Sequence, residues 1–166
     1  MNRVRITVAA LSLSAAGLVG IAVSENYEPV AKPPIPGDKC TLGFGETDGV
    51  KCGQTTTPVR ALIQLGKSAT RYERGVRACV TVPLYQHEFD AYVSFSYNLG
   101  VGNFCGADFV ERLNAGDYEG ACRGMATHPN GKPAWSSFQG KYKQGLQNRR
   151  IRERDYCLGL RETLHD

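Results

Sequence analysis

Residues 24–47, SENYEPVAKPPIPGDKCTLGFGET, decide how the rest of the chain is interpreted. The stretch begins just before an acidic residue, Glu25, and a proline-rich connector then leads to Asp38 and Thr41. It ends in a strand-like piece punctuated by glycine, residues 42–45. A glutamate at a helix end, a carboxylate in a loop and a hydroxyl on a strand can line one cleft. Glycosidases use such groups as a general acid and as a partner that places or activates water.

The stretch resembles the phage-type lysozymes or endolysins of glycoside hydrolase family 24, which are muramidases that cut peptidoglycan. The motif of that family is Glu, eight residues, Asp, five residues and Thr, followed by a Gly-aromatic-Gly strand. Glu25, Thr41 and residues 43–45 match this motif. The aspartate position does not match, because Pro34 occupies it and the nearby Asp38 stands three residues before Thr41.

Further motifs that recur in endolysins of this family extend the resemblance over residues 17–160, and some endolysins of the family carry an N-terminal signal-arrest-release segment. They comprise residues 97–100 with Gly102 and Phe104, residues 113–117, and Gly145-Leu146 with Arg149, Arg150 and Glu153. The resemblance implies an α+β, lysozyme-like fold that is mostly helical, with a small β-hairpin lobe and an N-terminal apolar helix.

The resemblance also implies roles for individual residues. Glu25 is expected to be the general acid, Asp38 to activate or orient water, and Thr41 to hydrogen-bond that water. Asn98 and Phe104 are expected to contact the substrate. The expected activity is hydrolysis of the bond between N-acetylmuramic acid and N-acetylglucosamine, by a monomer that uses no cofactor.

Other interpretations of these residues stay open at the level of sequence. Glu28 and Glu46 are nearby carboxylates that could replace Asp38. A lytic transglycosylase acting on the same substrate needs one glutamate and no second carboxylate. A secreted wall-binding protein without activity is the alternative from a different class.

The composition is that of a globular protein with one catalytic domain, which we place at residues 24–166. The chain has 166 residues, of which 42% are hydrophobic and 22% charged, enough for one core and too apolar for overall disorder. The formal net charge of +4 suits an anionic partner such as the cell wall. Because the basic residues are dispersed and no aromatic-basic motif is present, we expect no nucleic-acid partner.

Six cysteines after an apolar N-terminal segment indicate an oxidising compartment and up to three disulfides. No C-x-x-C pair is present, and the histidines lack ligand-like spacing, so no metal site is expected. Six cysteines allow 15 connectivities, which the sequence leaves open. We pair Cys40 with Cys52, which would tie the two strands of the hairpin, and further pair Cys79 with Cys105 and Cys122 with Cys157.

Residues 1–23 form the N-terminal segment. Ile6–Val23 runs 18 residues without a charge after Arg3 and Arg5. As a helix it would be about 27 Å long, just enough to cross the hydrocarbon with the N-terminus in the cytoplasm. A cleaved signal peptide, a permanent anchor and a signal-arrest-release segment all fit.

We favour release, from the host inner membrane into the periplasm, because cleavage near Ala22 would leave Glu25 at a mobile terminus. Leu18, Ile21 and Ala22 have the spacing to pack a helix onto the main lobe.

Local signals place the remaining elements. A hairpin is expected from Cys40–Gly45 and Val50–Gly53, and Thr57-Pro58 should start a long helix. A helix opening at Pro83 should carry a core aromatic cluster and end near Gly100. Short helices are expected at 107–113 and 118–126, and a basic helix or helix pair with a solvated face at 142–160. Trp135 suits either a core or a sugar platform.

Overall fold

The computed structural model describes residues 4–165 and confirms a mostly helical α+β architecture. In the described part of the chain the α-helices are α1 (Ala15–Glu25), α2 (Pro58–Cys79), α3 (Gln86–Leu99), α4 (Val101–Cys105), α5 (Asp108–Asn114), α6 (Tyr118–Gly124) and α7 (Gln144–Cys157). The strands are β1 (Glu28–Lys32), β2 (Thr41–Gly43), β3 (Ser137–Phe138) and β4 (Lys141–Tyr142), and a 3₁₀ turn spans Val8–Ala10.

The small lobe is a sheet whose first strand comes from the proline-rich connector. β1 pairs antiparallel with β2, with Glu28 opposite Gly43 and Lys32 opposite Thr41. The prediction of a return strand at Val50–Gly53 is wrong. Residues 53–56 instead run along the other edge of β1, where the Thr56 amide donates to the Pro29 carbonyl at 3.0 Å.

Pro29 is the reason that the sequence pattern did not predict strand β1. Pro29 has no N–H, so it can lie in a strand only where no neighbouring carbonyl needs a hydrogen bond from its nitrogen. Its carbonyl still accepts from Thr56. In the segment where the return strand was predicted, Gly49 and Gly53 have φ values of +68° and +83°. These left-handed conformations make residues 49–53 a turn.

The long helix α2 starts where Thr57 and Pro58 predict. The Thr57 hydroxyl accepts from the Arg60 amide at 3.4 Å, and Pro58 occupies the first turn. Its buried stripe runs through Ala61, Leu65, Ala69, Gly75 and Val76.

Helix α3 is the centre of the large lobe and packs against α1, α2 and α7. Its aromatic residues Phe89, Tyr92 and Phe95 are fully buried, which confirms the predicted core cluster. Phe95 makes edge-to-face contacts with Phe109 and Trp135, with ring centroids 5.0 and 5.5 Å apart. Trp135 therefore packs against the core. The helix ends at Gly100, whose φ is +89°.

The three predicted cysteine pairs all lie at disulfide distance. The Cα–Cα distances are 5.4 Å for Cys40–Cys52, 5.5 Å for Cys79–Cys105 and 5.6 Å for Cys122–Cys157. The first closes the turn of the small lobe. The second joins α2 to α4, and the third joins α6 to α7.

The N-terminal segment is not one continuous helix in this structure. Ile6 forms an antiparallel bridge with Leu84, the 3₁₀ turn follows, and Ser14 caps α1. Within residues 4–165, no helix combines the length and the apolar character that crossing a membrane requires. The structure therefore does not confirm an apolar helix over all of Ile6–Val23.

The second half of the segment packs as predicted. Ile21 and Ala22 are buried in the main core, and Leu18 packs against it. Glu25 is the last residue of α1, so the position of this docked helix sets the position of the Glu25 backbone.

Removal of the Cys122–Cys157 bridge should destabilise the protein more than removal of Cys40–Cys52. The sequence separations are 35 and 12 residues, which correspond to about 3.8 and about 2.8 kcal/mol in the chain-entropy model. Urea unfolding of the two double-alanine variants measures both values. A larger loss for the Cys40/Cys52 variant would contradict the prediction.

Candidate active site

Glu25 lies between the two lobes, at the point where α1 ends. Asn26 follows with a φ of +56°, which breaks the helix and leads the chain towards β1. The Glu25 Oε1 atom is 2.6 Å from Arg149 Nη1, and the two side chains are only 18% and 8% exposed. The carboxylate is thus held in place by a largely buried guanidinium from α7.

Arg149 belongs to a buried network on α7. Its Nε lies 3.2 Å from Glu153 Oε1, and Arg150 Nε lies 2.8 Å from Glu153 Oε2. The Ser94 hydroxyl of α3 donates to Glu153 Oε1 at 2.8 Å. Arginine and glutamate meet here at the three- and four-residue spacings of one helix face.

This network corrects the prediction of a solvated basic face. Arg149 and Arg150 are buried, and Arg150 has no exposed surface. Their burial is possible because Glu153 and Glu25 supply opposite charges, without which a buried cation is strongly destabilising. The sequence does contain a signal, since Arg149, Arg150 and Glu153 were part of the resemblance.

The two arginines differ in their pKa shifts. Burial lowers the pKa of Arg149, but the Glu153 and Glu25 carboxylates raise it more, so the net shift is upward. Burial dominates at Arg150 and lowers its pKa despite Glu153. Arg149 is therefore a permanent cation beside Glu25.

The Gly-Phe-Gly motif ends β2 at Gly43 and forms the turn that follows, and both of its glycines are approached closely. Gly43 has a φ of +64°, and a Cβ there would lie 2.8 Å from the Ala61 Cβ of α2. Gly45 has a φ of +88°, and its Cβ would lie 3.3 Å from Glu25 Oε2. The first glycine seats the strand on α2, and the second brings backbone against the catalytic candidate.

Tyr97 of α3 holds the turn that follows β2, and it was not predicted as a site residue. Its hydroxyl donates to the Phe44 carbonyl at 2.8 Å, and its ring packs on Tyr72 with centroids 4.8 Å apart. Burial and the Glu25 carboxylate raise the pKa of Tyr97 above its ordinary value. The phenol thus remains a donor at neutral pH.

A cavity of about 330 Å³ lies between the small lobe and the start of α2, with Phe44, Glu46 and Tyr97 in its wall. Larger cavities of about 690 and 600 Å³ lie elsewhere, one beside residues 4–14 and the other between α5, α6 and α7. Size alone therefore does not identify the site, and the candidate site rests on Glu25 and its buried charge network.

The other two catalytic candidates, Asp38 and Thr41, lie in the small lobe. Asp38 is exposed in a turn, where its amide donates to the Ile35 carbonyl at 3.0 Å. Thr41 is half-buried and pairs with Lys32 across the sheet. Within residues 4–165, neither is hydrogen-bonded to Glu25.

The two alternative carboxylates are engaged elsewhere. Glu28 forms an ion pair with Lys32 at 2.8 Å. Glu46 Oε1 accepts from the Thr47 and Asp48 amides at 3.0 and 2.9 Å. Glu46 Oε2 accepts from the hydroxyl and amide side chains of α2, Ser68 and Gln64. Glu46 thus ties the end of the strand to α2.

The predicted substrate contacts have different environments. Phe104 has no exposed surface and packs on Tyr92 and Phe95. A side chain without accessible surface cannot touch a sugar, so Phe104 is a core residue here. Asn98 is half-buried beside Tyr97, and its Oδ1 has no hydrogen-bond partner among the described residues.

Over residues 4–165, no group of three or more His, Cys, Asp or Glu side chains is arranged to hold a metal ion. The chemistry that these residues can perform is proton transfer and charge stabilisation.

Glu46 should make stability depend on pH. Burial raises its pKa, but the hydrogen bonds from Ser68 and the loop amides outweigh it, so the pKa falls below 4.5. The ionised carboxylate therefore stabilises the fold above this pH, and the contribution is lost as pH falls through the folded-state pKa. Glu46→Gln should unfold at lower urea than wild type at neutral pH, with a smaller difference at about pH 3.

Glu28→Gln is the matched control, because it also removes a carboxylate from the small lobe. A Glu46→Gln deficit that stays constant with pH would contradict the prediction.

Comparison with known proteins agrees with this geometry. The phage lysozyme family model matches residues 24–153. The chain is 33% identical over 156 residues to the SAR-endolysin of Pseudomonas phage phiKMV, covering 90% of this chain and 89% of that protein. It is 32% identical over 145 residues to the endolysin of Bacillus phage PZA, covering 86% of this chain. The match covers 54% of that relative, about half its length.

The solved structures show the same fold. The endolysin from Escherichia coli O157:H7 phage FAHEc1 aligns with a TM-score of 0.79 and 31% identity, covering 92% of this chain and 96% of that chain. The resemblance carried by residues 24–47 is confirmed, and the chain belongs to the phage lysozyme family.

Proposed function

We propose that this protein is an endolysin, a muramidase that hydrolyses the bond between N-acetylmuramic acid and N-acetylglucosamine in peptidoglycan and thereby lyses the host cell. The observation that carries the proposal is the placement of Glu25. It ends a docked helix, contacts Arg149 at 2.6 Å and faces the backbone of Gly45. Membership of the phage lysozyme family and the endolysin relatives support this assignment.

Glu25 acts as the general acid that protonates the leaving glycosidic oxygen. Arg149 engages Oε1, and Gly45 approaches Oε2, so the carboxyl group has one orientation relative to the small lobe. Tyr97 fixes the Phe44 carbonyl and with it the strand that faces Glu25. Fixed orientation of a reacting group is a major source of rate acceleration.

Water attacks from the other face of the sugar. We assign Thr41 to hydrogen-bond this water and Asp38 to orient or activate it, and we assign Asn98 to contact the glycan. The exposed turn that carries Asp38 lies beside β2, on which Thr41 is the first residue. Asn98 is half-buried, so part of this residue remains accessible for such a contact, whereas its Oδ1 atom is itself buried.

The N-terminal segment is a signal-arrest-release element. Two observations support this: the uncharged run Ile6–Val23 follows two arginines, and the similar phiKMV protein is a SAR-endolysin. The protein is first tethered in the host inner membrane with its N-terminus in the cytoplasm. It then leaves the bilayer and acts as a periplasmic monomer, with residues 15–25 docked as α1.

Glu25→Gln should abolish clearing of permeabilised Gram-negative cells, since the amide keeps the size of the side chain but cannot donate the proton. Turbidity loss measures this. Glu28→Gln is the control, because it alters a carboxylate of the small lobe without touching Arg149, and should clear cells normally. Equal clearing by wild type and Glu25→Gln would remove Glu25 from catalysis.

Asp38→Asn tests the water-side assignment separately. If Asp38 activates water, we expect kcat to fall by about 10²- to 10⁴-fold, the range for general acid–base groups. Nearly full activity would remove this role from Asp38. Mass analysis of wild-type products should show reducing sugar ends, whereas anhydro-sugar ends would identify a lytic transglycosylase.

Release of the segment should give two full-length pools, one membrane-bound and one periplasmic, and the periplasmic pool should grow when the membrane is depolarised. Low hydrophobicity of the segment, due to its alanine, glycine, serine and threonine, weakens its hold on the bilayer. Fractionation with N-terminal sequencing measures both pools. A soluble form that begins at Val23 or Glu25 would instead indicate a signal peptidase.

A further inference from the structure

The N-terminal segment is held to the body by polar side chains that α2 and α3 contribute. Arg77 of α2 donates to the Leu11 carbonyl through Nε at 3.0 Å, and Glu73 accepts from the Leu13 amide at 3.1 Å. Asp90 of α3 accepts from the Ser14 amide at 3.0 Å. These contacts are made with backbone groups of the segment.

Asp90 occupies the most enclosed position of this set. It is fully buried, and its Oδ2 also accepts from the Ser14 hydroxyl at 2.5 Å. Gln86 and Tyr156 donate to the same carboxylate at 2.9 and 3.4 Å. The Ser14 hydroxyl in turn accepts from the Gly17 amide at 3.0 Å. One carboxylate thus fixes the residue that caps α1.

Helix α1 needs such an anchor because it is weak by itself. It has 11 residues, including Gly17 and Gly20, and no acidic residue in its first turn. An isolated helix of this length is marginal in water, and each glycine costs about 1 kcal/mol relative to alanine.

The same glycines allow α1 to approach the body closely. A Cβ at Gly17 would lie 2.9 Å from Asp90 Cγ, and one at Gly20 would lie 2.5 Å from Leu164 Cβ. Both distances are too short for any side chain. The start of α1 therefore packs directly against Asp90.

We propose that Asp90 is a positioning residue for Glu25, acting through α1: its carboxylate fixes the start of the helix at Ser14, and the helix carries this position to its last residue. The inference rests on the proposed function in that Glu25 is the group positioned. Asp90 does not touch the substrate.

Helix α1 is the short connection between the Asp90 carboxylate, which binds its N-cap, and the Glu25 carboxylate at its end. The 11 residues of α1 span about 16 Å, so an axial slip or a tilt at Ser14 reaches Glu25 with little attenuation. Arg149 and Gly45 hold the Glu25 carboxyl group itself within a narrow space. Misplacement of a catalytic group by about 1 Å can lower the rate by about 10²-fold.

Asp90 is a titratable group in a fully buried position. Burial raises the pKa of Asp90 above its ordinary value, although hydrogen bonds from Ser14, Gln86 and Tyr156 oppose this. A raised pKa means that ionisation of Asp90 destabilises the fold as pH rises through it. A neutral asparagine, which keeps one acceptor oxygen, avoids that loss.

The test uses the purified full-length protein and three variants of the anchor. We expect Asp90→Ala to lower kcat by about 10- to 100-fold on soluble peptidoglycan fragments, with little change in KM. Ser14→Ala, which leaves the body intact, should lower kcat less and in the same direction. Asp90→Asn should recover most of the kcat lost in Asp90→Ala, with a Tm no lower than wild type.

Hydrogen exchange of residues 15–25 provides a readout that does not depend on activity. It should rise in Asp90→Ala and Ser14→Ala. Asn114→Ala is the matched control, since Asn114 ties the Thr81 amide and the Cys79 carbonyl in the same lobe, at 2.9 and 2.8 Å, away from α1. It should lower Tm while leaving kcat and exchange in α1 near wild type.

Three results would overturn the proposal: an unchanged kcat in Asp90→Ala, unchanged exchange in residues 15–25, or an equal loss of kcat in Asn114→Ala at the same loss of Tm. If wild type cleaves no glycan, the proposed function fails. The exchange data then still decide whether Asp90 anchors α1.

Discussion

The ion pair between Glu25 and Arg149 is the contact on which the arrangement of the site depends. It joins the first and last α-helices across 124 residues of sequence. Its two partners are largely buried, and Arg150 and Glu153 extend the pair to two positive and two negative charges. A buried charge without its partner is strongly destabilising, so the members of this network stabilise one another's burial. The catalytic candidate is therefore placed by the same interaction that makes α7 a core helix.

Close backbone approach is the second constraint on the site. Gly45 admits the Glu25 carboxylate, Gly43 admits α2, and Gly17 admits Asp90. A methyl group at Gly43 or Gly17 would lie less than 3.0 Å from a neighbouring side chain, and one at Gly45 would lie 3.3 Å from Glu25 Oε2. Small residues here determine how near the lobes and α1 come to one another, and thus how tightly Glu25 is enclosed.

The N-terminal segment has to suit two environments if it is released as proposed. A run without charges is what a bilayer accepts, and Ile6–Val23 contains none. In the folded protein the charged groups that bind the segment come instead from α2 and α3. Arg77, Glu73 and Asp90 form hydrogen bonds with backbone groups of the segment. Backbone groups are hydrogen-bonded within a helix in lipid and can be exposed to new partners after release. The division of charge between segment and body makes both states possible.

The sequence by itself determined the features that have local causes. Thr57-Pro58 starts α2, Gly100 ends α3, and the Gly-Phe-Gly motif indicated the family, because caps, turn glycines and a short motif act over a few residues. The chosen cysteine pairs are also correct, but Cys79–Cys105 and Cys122–Cys157 span 26 and 35 residues, and no local signal selects them. Tertiary structure decided the rest. The burial of Arg149 and Arg150 depends on Glu25, which is distant in sequence, and β1 forms because residues 53–56 and β2 flank a proline-containing strand. Phe104 is a core residue because α3 and α5 enclose it, and Asp90 acquires its role only when Ser14 docks onto it. Such effects require partners that no local pattern specifies.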